Sequence, residues 1–419
     1  MATEKYFPTI EAIEKASEVL GEILDPTPFM KNNNLSDIYE ANVYLKREDL
    51  QIVRSYKIRG AYNMIRTLEP ERLQKGIVCA SAGNHAQGVA FSCNKLKIMG
   101  SIFMPTTTPK QKIEQVRMFG KEFIEIVLTG DTFDAANAAA IAYANENGKT
   151  FIPPFDDPKV MEGQGTIGKE IMQQSKVKLD YIFVPIGGGG LASGLGSYIK
   201  QMSPETKIIG VEPAGAPCMK TAIDTGHVVE LEHIDKFVDG AAVKKAGAMT
   251  YEVCKEVLDD IVIVPEGAVC TTIIQMYNKS AIVVEPAGAL SSAALRFYAD
   301  KIKGKNVACI VSGSNNDITR MEEIREKSLL YEGLKHYFIV NFPQKSGEIL
   351  SFIRDVIGPT DDLVYIQYIK KTNKNFGPAL IGIELASKDD FKALTERMNK
   401  HGISYEYINE NNKLFEILI

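Results

Sequence analysis

Tyr181-Ile182-Phe183-Val184-Pro185-Ile186-Gly187-Gly188-Gly189-Gly190-Leu191 is the stretch from which the rest of the chain can be read. Its first six residues carry no charge. A strand with one solvated face alternates apolar and polar residues, so this run predicts a strand covered on both faces, as in a parallel sheet. Four glycines follow it directly, ahead of an apparent helix. Glycines there let the backbone approach an anion, while free N–H groups and the helix terminus supply a positive field. The loop lacks the Lys-Ser/Thr ending of a P-loop and the spacing of a dinucleotide-binding turn, which disfavours NTP and NAD. The expectation is a phosphate cup, and the alternative is a purely structural βα turn.

Other segments fit the same rhythm. Apolar runs at 77–80, 101–104 and 123–128 read as strands, with helices between them and an Ala-rich helix at 133–146. Short strands at 207–211, 261–264 and 307–311 continue the pattern on the other side. Earlier come a helix at 9–23, a strand at 43–45, and a helix from Lys57 to Leu68 stopped by Pro70. Successive βα units of this kind predict an α/β catalytic region over 1–325, built of two parallel-sheet subdomains, the smaller inserted at about 55–155. Composition changes after Arg325. Residues 326–335 read as a linker. Over 336–419, strands at 336–341, 363–369, 379–385 and 404–408, with helices at 348–357 and from Ser387, give the βαββαβ order of an α+β ferredoxin-like module, and a further strand at 413–418 finishes the chain.

Bulk properties narrow the function. The 419 residues are 45% hydrophobic and 24% charged, ordinary for a globular protein, with a formal charge of −5. No basic stripe is present to hold a nucleic acid, and no apolar run reaches membrane-spanning length. The N-terminus has no signal core. Six scattered cysteines suit reduced thiols in the cytoplasm, and the five histidines show no metal-ligand spacing, so no metal site is expected.

Three further loops carry chemistry-bearing groups. In Ser55-Tyr56-Lys57-Ile58-Arg59-Gly60-Ala61 the lysine sits between apolar neighbours, where desolvation would lower its pKa and make the amine a nucleophile; an ordinary helix start reads the same way. Ser81-Ala82-Gly83-Asn84-His85 follows a strand, and such a turn at a helix N-terminus can hold a carboxylate while Asn84 donates to a ring oxygen. Ser312-Gly313-Ser314-Asn315 offers a neutral hydroxyl at a strand end. Capping by Ser81, Asn84 or Ser312 accounts for each turn singly. Glu285-Pro286-Ala287-Gly288-Ala289 adds a carboxylate in a turn, with an exposed turn acid as the plain alternative.

These four loops, in this order and spacing, resemble the fold type II (tryptophan synthase β-like) pyridoxal-phosphate enzymes, and among them the biosynthetic threonine dehydratases. Lys46-Arg47-Glu48-Asp49-Leu50 and Gly163-Gln164-Gly165-Thr166 extend the likeness along nearly the whole chain. The resemblance implies pyridoxal 5'-phosphate as cofactor, anchored on Lys57. Its phosphate would be held by Gly187, Gly188, Gly189, Gly190 and Leu191, its ring hydroxyl by Asn84 and its ring nitrogen by Ser312. The substrate carboxylate would be held by Ser81, Ala82, Gly83 and His85. It further implies elimination and deamination of L-threonine to 2-oxobutanoate, a C-terminal ACT-like regulatory domain with isoleucine or valine as effectors, and a homotetramer.

Two departures stand out. Longer family members carry two regulatory modules, whereas 336–419 has room for one. Cys218, in Glu212-Pro213-Ala214-Gly215-Ala216-Pro217-Cys218, stands where serine racemase has an aspartate in its metal turn. A broader serine/threonine dehydratase or racemase, and a catalytically inert amino-acid sensor, are the rival readings.

Overall fold

The apolar run at 181–186 forms the strand Tyr181–Pro185, buried along almost its whole length in the interior of a six-stranded sheet. The computed structural model describes residues 6–369, 375–411, 414, 415 and 418. Along this sheet the strands run Phe29–Lys31, Asn42–Arg47, Asn306–Val311, Tyr181–Pro185, Lys207–Pro213 and Asp260–Val264. All neighbours pair in parallel except the first, an antiparallel edge. Strands from both ends of the first 318 residues therefore share one sheet. A second sheet, of the parallel strands Ile124–Leu128, Gly100–Met104, Ile77–Ala80 and Thr150–Phe151, is built from the chain between them. Each sheet has its own apolar core. Ile182, Val184, Leu195 and Ile208 lie in the larger, and Ile77, Val89, Ile102 and Val116 in the smaller.

Contacts divide the chain into two compact units, Met1–Ile318 and Thr319–Ile419. The second contains a four-stranded antiparallel sheet in the order Asp362–Tyr368, Phe376–Glu384, Lys335–Pro343, Ser404–Tyr407. With helices Glu348–Val356 and Asp390–Lys400 this is the βαββαβ arrangement of a ferredoxin-like module. Phe338, Phe342, Phe352, Ile381 and Leu394 form its core.

Three expectations are corrected. The 326–335 stretch is not a free linker, because it begins inside helix Met321–Tyr331. It is tied down by an ion pair between Lys335 and Glu326 and by the Tyr337 hydroxyl donating to Glu326 at 2.7 Å. Pro70 does more than stop a helix. The preceding helix already ends at Arg66, and Pro70 takes the first position of helix Pro70–Lys75, where its missing N–H costs nothing. The expected strand at 413–418 is helical at its described positions Leu414, Phe415 and Leu418. Asn411 initiates the turn, its side chain accepting the Leu414 N–H and its carbonyl the Phe415 N–H, so a cap overrides an apolar pattern. Residues 412, 413, 416, 417 and 419 lie outside the described residues.

Candidate active site

Lys57 opens the helix Lys57–Arg66, whose placement is dictated by its neighbours. Against helix Pro158–Gln174 the backbones approach so closely that a Cβ on Gly163 would lie 2.6 Å from the Arg59 carbonyl. Against helix Asn84–Leu96, a Cβ on Gly88 would lie 3.1 Å from the Ile58 Cα. Two residues along, Arg59 is fully buried and forks between two carboxylates. Its Nε bonds Glu48 at 2.8 Å and its Nη1 bonds Glu170 at 2.6 Å. Lys46 closes the cluster, bonding Glu170 at 2.5 Å and the Thr27 carbonyl at 2.7 Å. Burial alone would raise the Glu48 carboxyl, but the guanidinium outweighs it and holds the group below its usual range. The helix start is thus locked to the end of strand Asn42–Arg47.

The Lys57 amine donates to the Pro154 carbonyl at 2.9 Å, with the Tyr56 ring centroid 5.4 Å away and that of Phe155 6.0 Å away. Desolvation lowers its pKa to about 8, and the carboxylate of Glu285 opposes part of that shift. The Lys57 and Ser312 loops are joined directly. Tyr56 N–H donates to the Ser312 carbonyl at 3.1 Å, and Ser314 N–H to the Arg54 carbonyl at 2.9 Å. Arg54 accepts a left-handed φ of 58° to make this junction. The Ser312 hydroxyl, 2% exposed, donates to the Ala287 carbonyl at 3.1 Å.

The glycine loop closes on the same region. A Cβ on Gly188 would collide with three carbons of the Phe155 ring, and Gly189 turns through φ +95°, a left-handed conformation that favours glycine. The Gly188 carbonyl is used by Gly247 N–H and the Thr250 hydroxyl. The N–H groups of Gly187 to Leu191, by contrast, enter no hydrogen bond of the described residues. They stand at the start of the thirteen-residue helix Gly190–Met202, so dipole and donors share one end.

The 81–85 turn divides. Ser81 Oγ accepts the Gly83 N–H at 3.2 Å, Ala82 borders the small-sheet core, and a Cβ on Gly83 would meet nothing within 4 Å, so this turn faces open space. His85 is buried and bonds the Ile152 carbonyl at 2.9 Å. Burial, then the nearby Lys57 charge, depress its pKa to about 3, so the ring is neutral and its Nε2–H is a structural donor. Asn84 is held on both sides. Its Nδ2 donates to Glu285 Oε1 at 2.7 Å, and its Oδ1 accepts from Asn315 Nδ2 at 2.6 Å. Sequence reasoning left Glu285 as a turn acid and Asn315 unassigned. Both are buried or half-buried beside Asn84, and the Glu-Pro helix start was the only local signal.

This collection accommodates pyridoxal phosphate. A desolvated amine, a row of unspent amides and a neutral hydroxyl surround one region. Two buried side-chain oxygens there, Ser55 Oγ and Asn315 Oδ1, have no hydrogen-bond partner among the described residues. Residues 22–313 match the family described as pyridoxal-phosphate dependent enzyme. The chain belongs to that family. Residues 326–418 match the C-terminal regulatory domain of threonine dehydratase. The chain is 57% identical over 410 residues to the L-threonine dehydratase biosynthetic IlvA of Halalkalibacterium halodurans, covering 98% of this chain and 99% of the relative. It is 55% identical to that of Bacillus subtilis, covering 98% and 97%. Among solved structures, the processed form of threonine deaminase isoform 2 from Solanum lycopersicum superposes with a TM-score of 0.72 at 40% identity, over 78% of this chain and 90% of that one. Maize serine racemase gives 0.71 at 28% identity, over 78% and 99%. This member of the family thus has a fold type II catalytic unit, a regulatory unit, and pyridoxal phosphate as its cofactor.

In the turn that resembles the racemase metal loop, Glu212 accepts the N–H groups of Met219 and Lys220 at 2.7 and 2.8 Å. The Cys218 thiol donates to the Gly187 carbonyl at 3.4 Å, and burial raises its pKa, so the sulfur stays protonated. Among the described residues no helix is long and apolar enough to cross a membrane.

Proposed function

We propose that this enzyme deaminates L-threonine to 2-oxobutanoate and ammonia, the step that commits carbon to isoleucine, and that Lys57 carries the chemistry. The observation that supports Lys57 most is its desolvated amine, which shares one region with the unspent amides of the 187–191 loop. Bound pyridoxal phosphate supplies an electron sink for charge left on the substrate Cα.

In this reading Lys57 would hold the cofactor, and its free amine would receive the substrate Cα proton on Nζ. A pKa of about 8 suits both tasks, because a useful fraction of the amine is neutral near pH 7 to 8. The amides of Gly187, Gly188, Gly189, Gly190 and Leu191 hold the phosphate. Asn84 donates its second amide hydrogen to the ring hydroxyl. Ser312 faces the ring nitrogen with a hydroxyl, which does not drive protonation there as a carboxylate would. The Ser81, Ala82 and Gly83 turn, open at the N-terminus of helix Asn84–Leu96, binds the substrate carboxylate, and His85 supports that turn by fixing it to the Ile152 carbonyl. Isoleucine and valine act through the C-terminal unit, and the chain works as a cytoplasmic homotetramer. Six buried cysteines outside any disulfide are consistent with a reducing compartment.

The test is release of 2-oxo acid from L-threonine and L-serine with pyridoxal phosphate present, each titrated with isoleucine and valine. Threonine is expected to be the better substrate and isoleucine to depress its turnover. Racemisation without 2-oxo acid release, or loss of turnover with a chelator, would favour the racemase reading. No turnover of either amino acid by a cofactor-loaded protein would leave the sensor.

A further inference from the structure

Glu285 stands apart from the residues assigned above. Its backbone is pinned, the N–H donating to the Gly313 carbonyl at 3.2 Å and the carbonyl accepting from Gly288 at 2.9 Å. Its carboxylate is 4% exposed and occupies a space cleared of side chains. A Cβ on Gly313 would collide with Oε1, and one on Gly240 would lie 3.4 Å from it. A buried carboxylate is costly unless its oxygens are used. Here Oε1 receives the Asn84 amide, and the Asn315 backbone adds a second bond.

An asparagine amide can be flipped, and only its partners fix which end is oxygen. Asn315 Nδ2 donates to Asn84 Oδ1, and is itself anchored by donating to the Val53 carbonyl at 3.0 Å. An ionised carboxylate on the other side can only accept, whereas its protonated form can also donate. The pair Asn315 and Glu285 therefore forces Asn84 to present Nδ2, leaving one N–H free. The charged or titratable groups that couple to Glu285 through space are Lys57, Tyr56, and the pair Lys112–Asp239, itself bonded at 2.6 Å. Of these, Lys57 is the cation without a carboxylate of its own.

We propose that Glu285 is a positioning residue of the active site, which locks the Asn84 amide in the orientation that donates to the cofactor and provides the counter-charge of Lys57. This rests on the roles given above to Lys57 and Asn84. Burial, with Asp239, pushes the Glu285 carboxyl up to about 7, so the lock is set above neutrality and loosens below it.

The experiment uses apoenzyme and free pyridoxal phosphate, with visible absorbance as readout. The rate of cofactor capture by the wild type should rise with pH about a midpoint near 8, following the free Lys57 amine. Glu285→Gln keeps an acceptor for Asn84 but removes the anion, so the ammonium loses its support and the midpoint falls by about 1 pH unit. Glu285→Ala removes the acceptor too, and the cofactor dissociation constant rises roughly tenfold. In an Asn84→Ala background, measured above the Lys57 midpoint where no ammonium is left to support, adding Glu285→Ala should weaken binding no further, since its remaining effect runs through that amide. Unchanged midpoint and affinity in the single variants, with normal wild-type capture, would overturn the proposal. So would a penalty that persists in full beside Asn84→Ala, which marks a merely structural residue. If the wild type itself develops no visible band, the Lys57 assignment fails, and the inference with it. Should Glu285→Ala not fold, the Glu285→Gln midpoint decides.

Discussion

Replacing Arg59 by methionine tests the lock that holds the lysine helix. The side chain is 1% exposed, and its volume is roughly preserved, so the change removes charge and four bonds to carboxylate oxygens with little cavity. Glu48, fully buried, is left with a bond from the Thr27 hydroxyl, while Lys46 still pairs with Glu170. Removing one partner of a buried pair costs about 3–5 kcal/mol, because the other charge stays desolvated. For a unit of this size that lowers Tm by about 4–8 °C. The pH dependence carries the sharper test. In the wild type Glu48 has a folded pKa below its unfolded value, so its contribution is complete above the unfolded value of about 4.3 and lost only as pH falls through the folded one. Without Arg59, burial dominates and the folded pKa rises, so the variant regains stability as Glu48 takes up a proton. Thermal unfolding followed by circular dichroism at pH 8 and pH 5.5 should show a deficit that is largest at pH 8. A Tm within 2 °C of wild type at pH 8, or a deficit that grows toward pH 5.5, would refute the argument.

Lys57→Ala should abolish deamination while leaving Tm within a few degrees, and borohydride should no longer fix cofactor to the chain; substantial turnover would contradict its role. Gly188→Ala drives a methyl group against the Phe155 ring carbons, an overpacking cost of about 1–3 kcal/mol, and should weaken cofactor binding about tenfold in an absorbance titration. Undiminished affinity would place the phosphate elsewhere. His85, held neutral by a pKa of about 3, should show no imidazole titration by NMR between pH 5 and 8. The unfolded chain binds that proton below about 6.5, so His85 subtracts stability progressively as pH falls from there, and a midpoint near 6.5 in the native protein would refute its burial.

The rhythm of apolar runs and glycine turns was enough to read the parallel sheets, because a doubly covered strand must be apolar along its length and a backbone that approaches an anion must lack side chains. The capping chemistry around 413–418 was also local, yet weaker than the apolar pattern that masked it, and Asn411 became decisive only with its two bonds in view. Four site loops were legible as loops, and only the family resemblance, not any local pattern, implied that they meet. Only tertiary structure joined Asn84 to Glu285 across 201 residues, or Arg59 to Glu170 across 111. Short-range pattern records which faces are buried. It does not record which charge a buried carboxylate will find, and that pairing decides whether Glu285 is an exposed turn acid or part of the active site, and whether His85 is a base or a neutral strut.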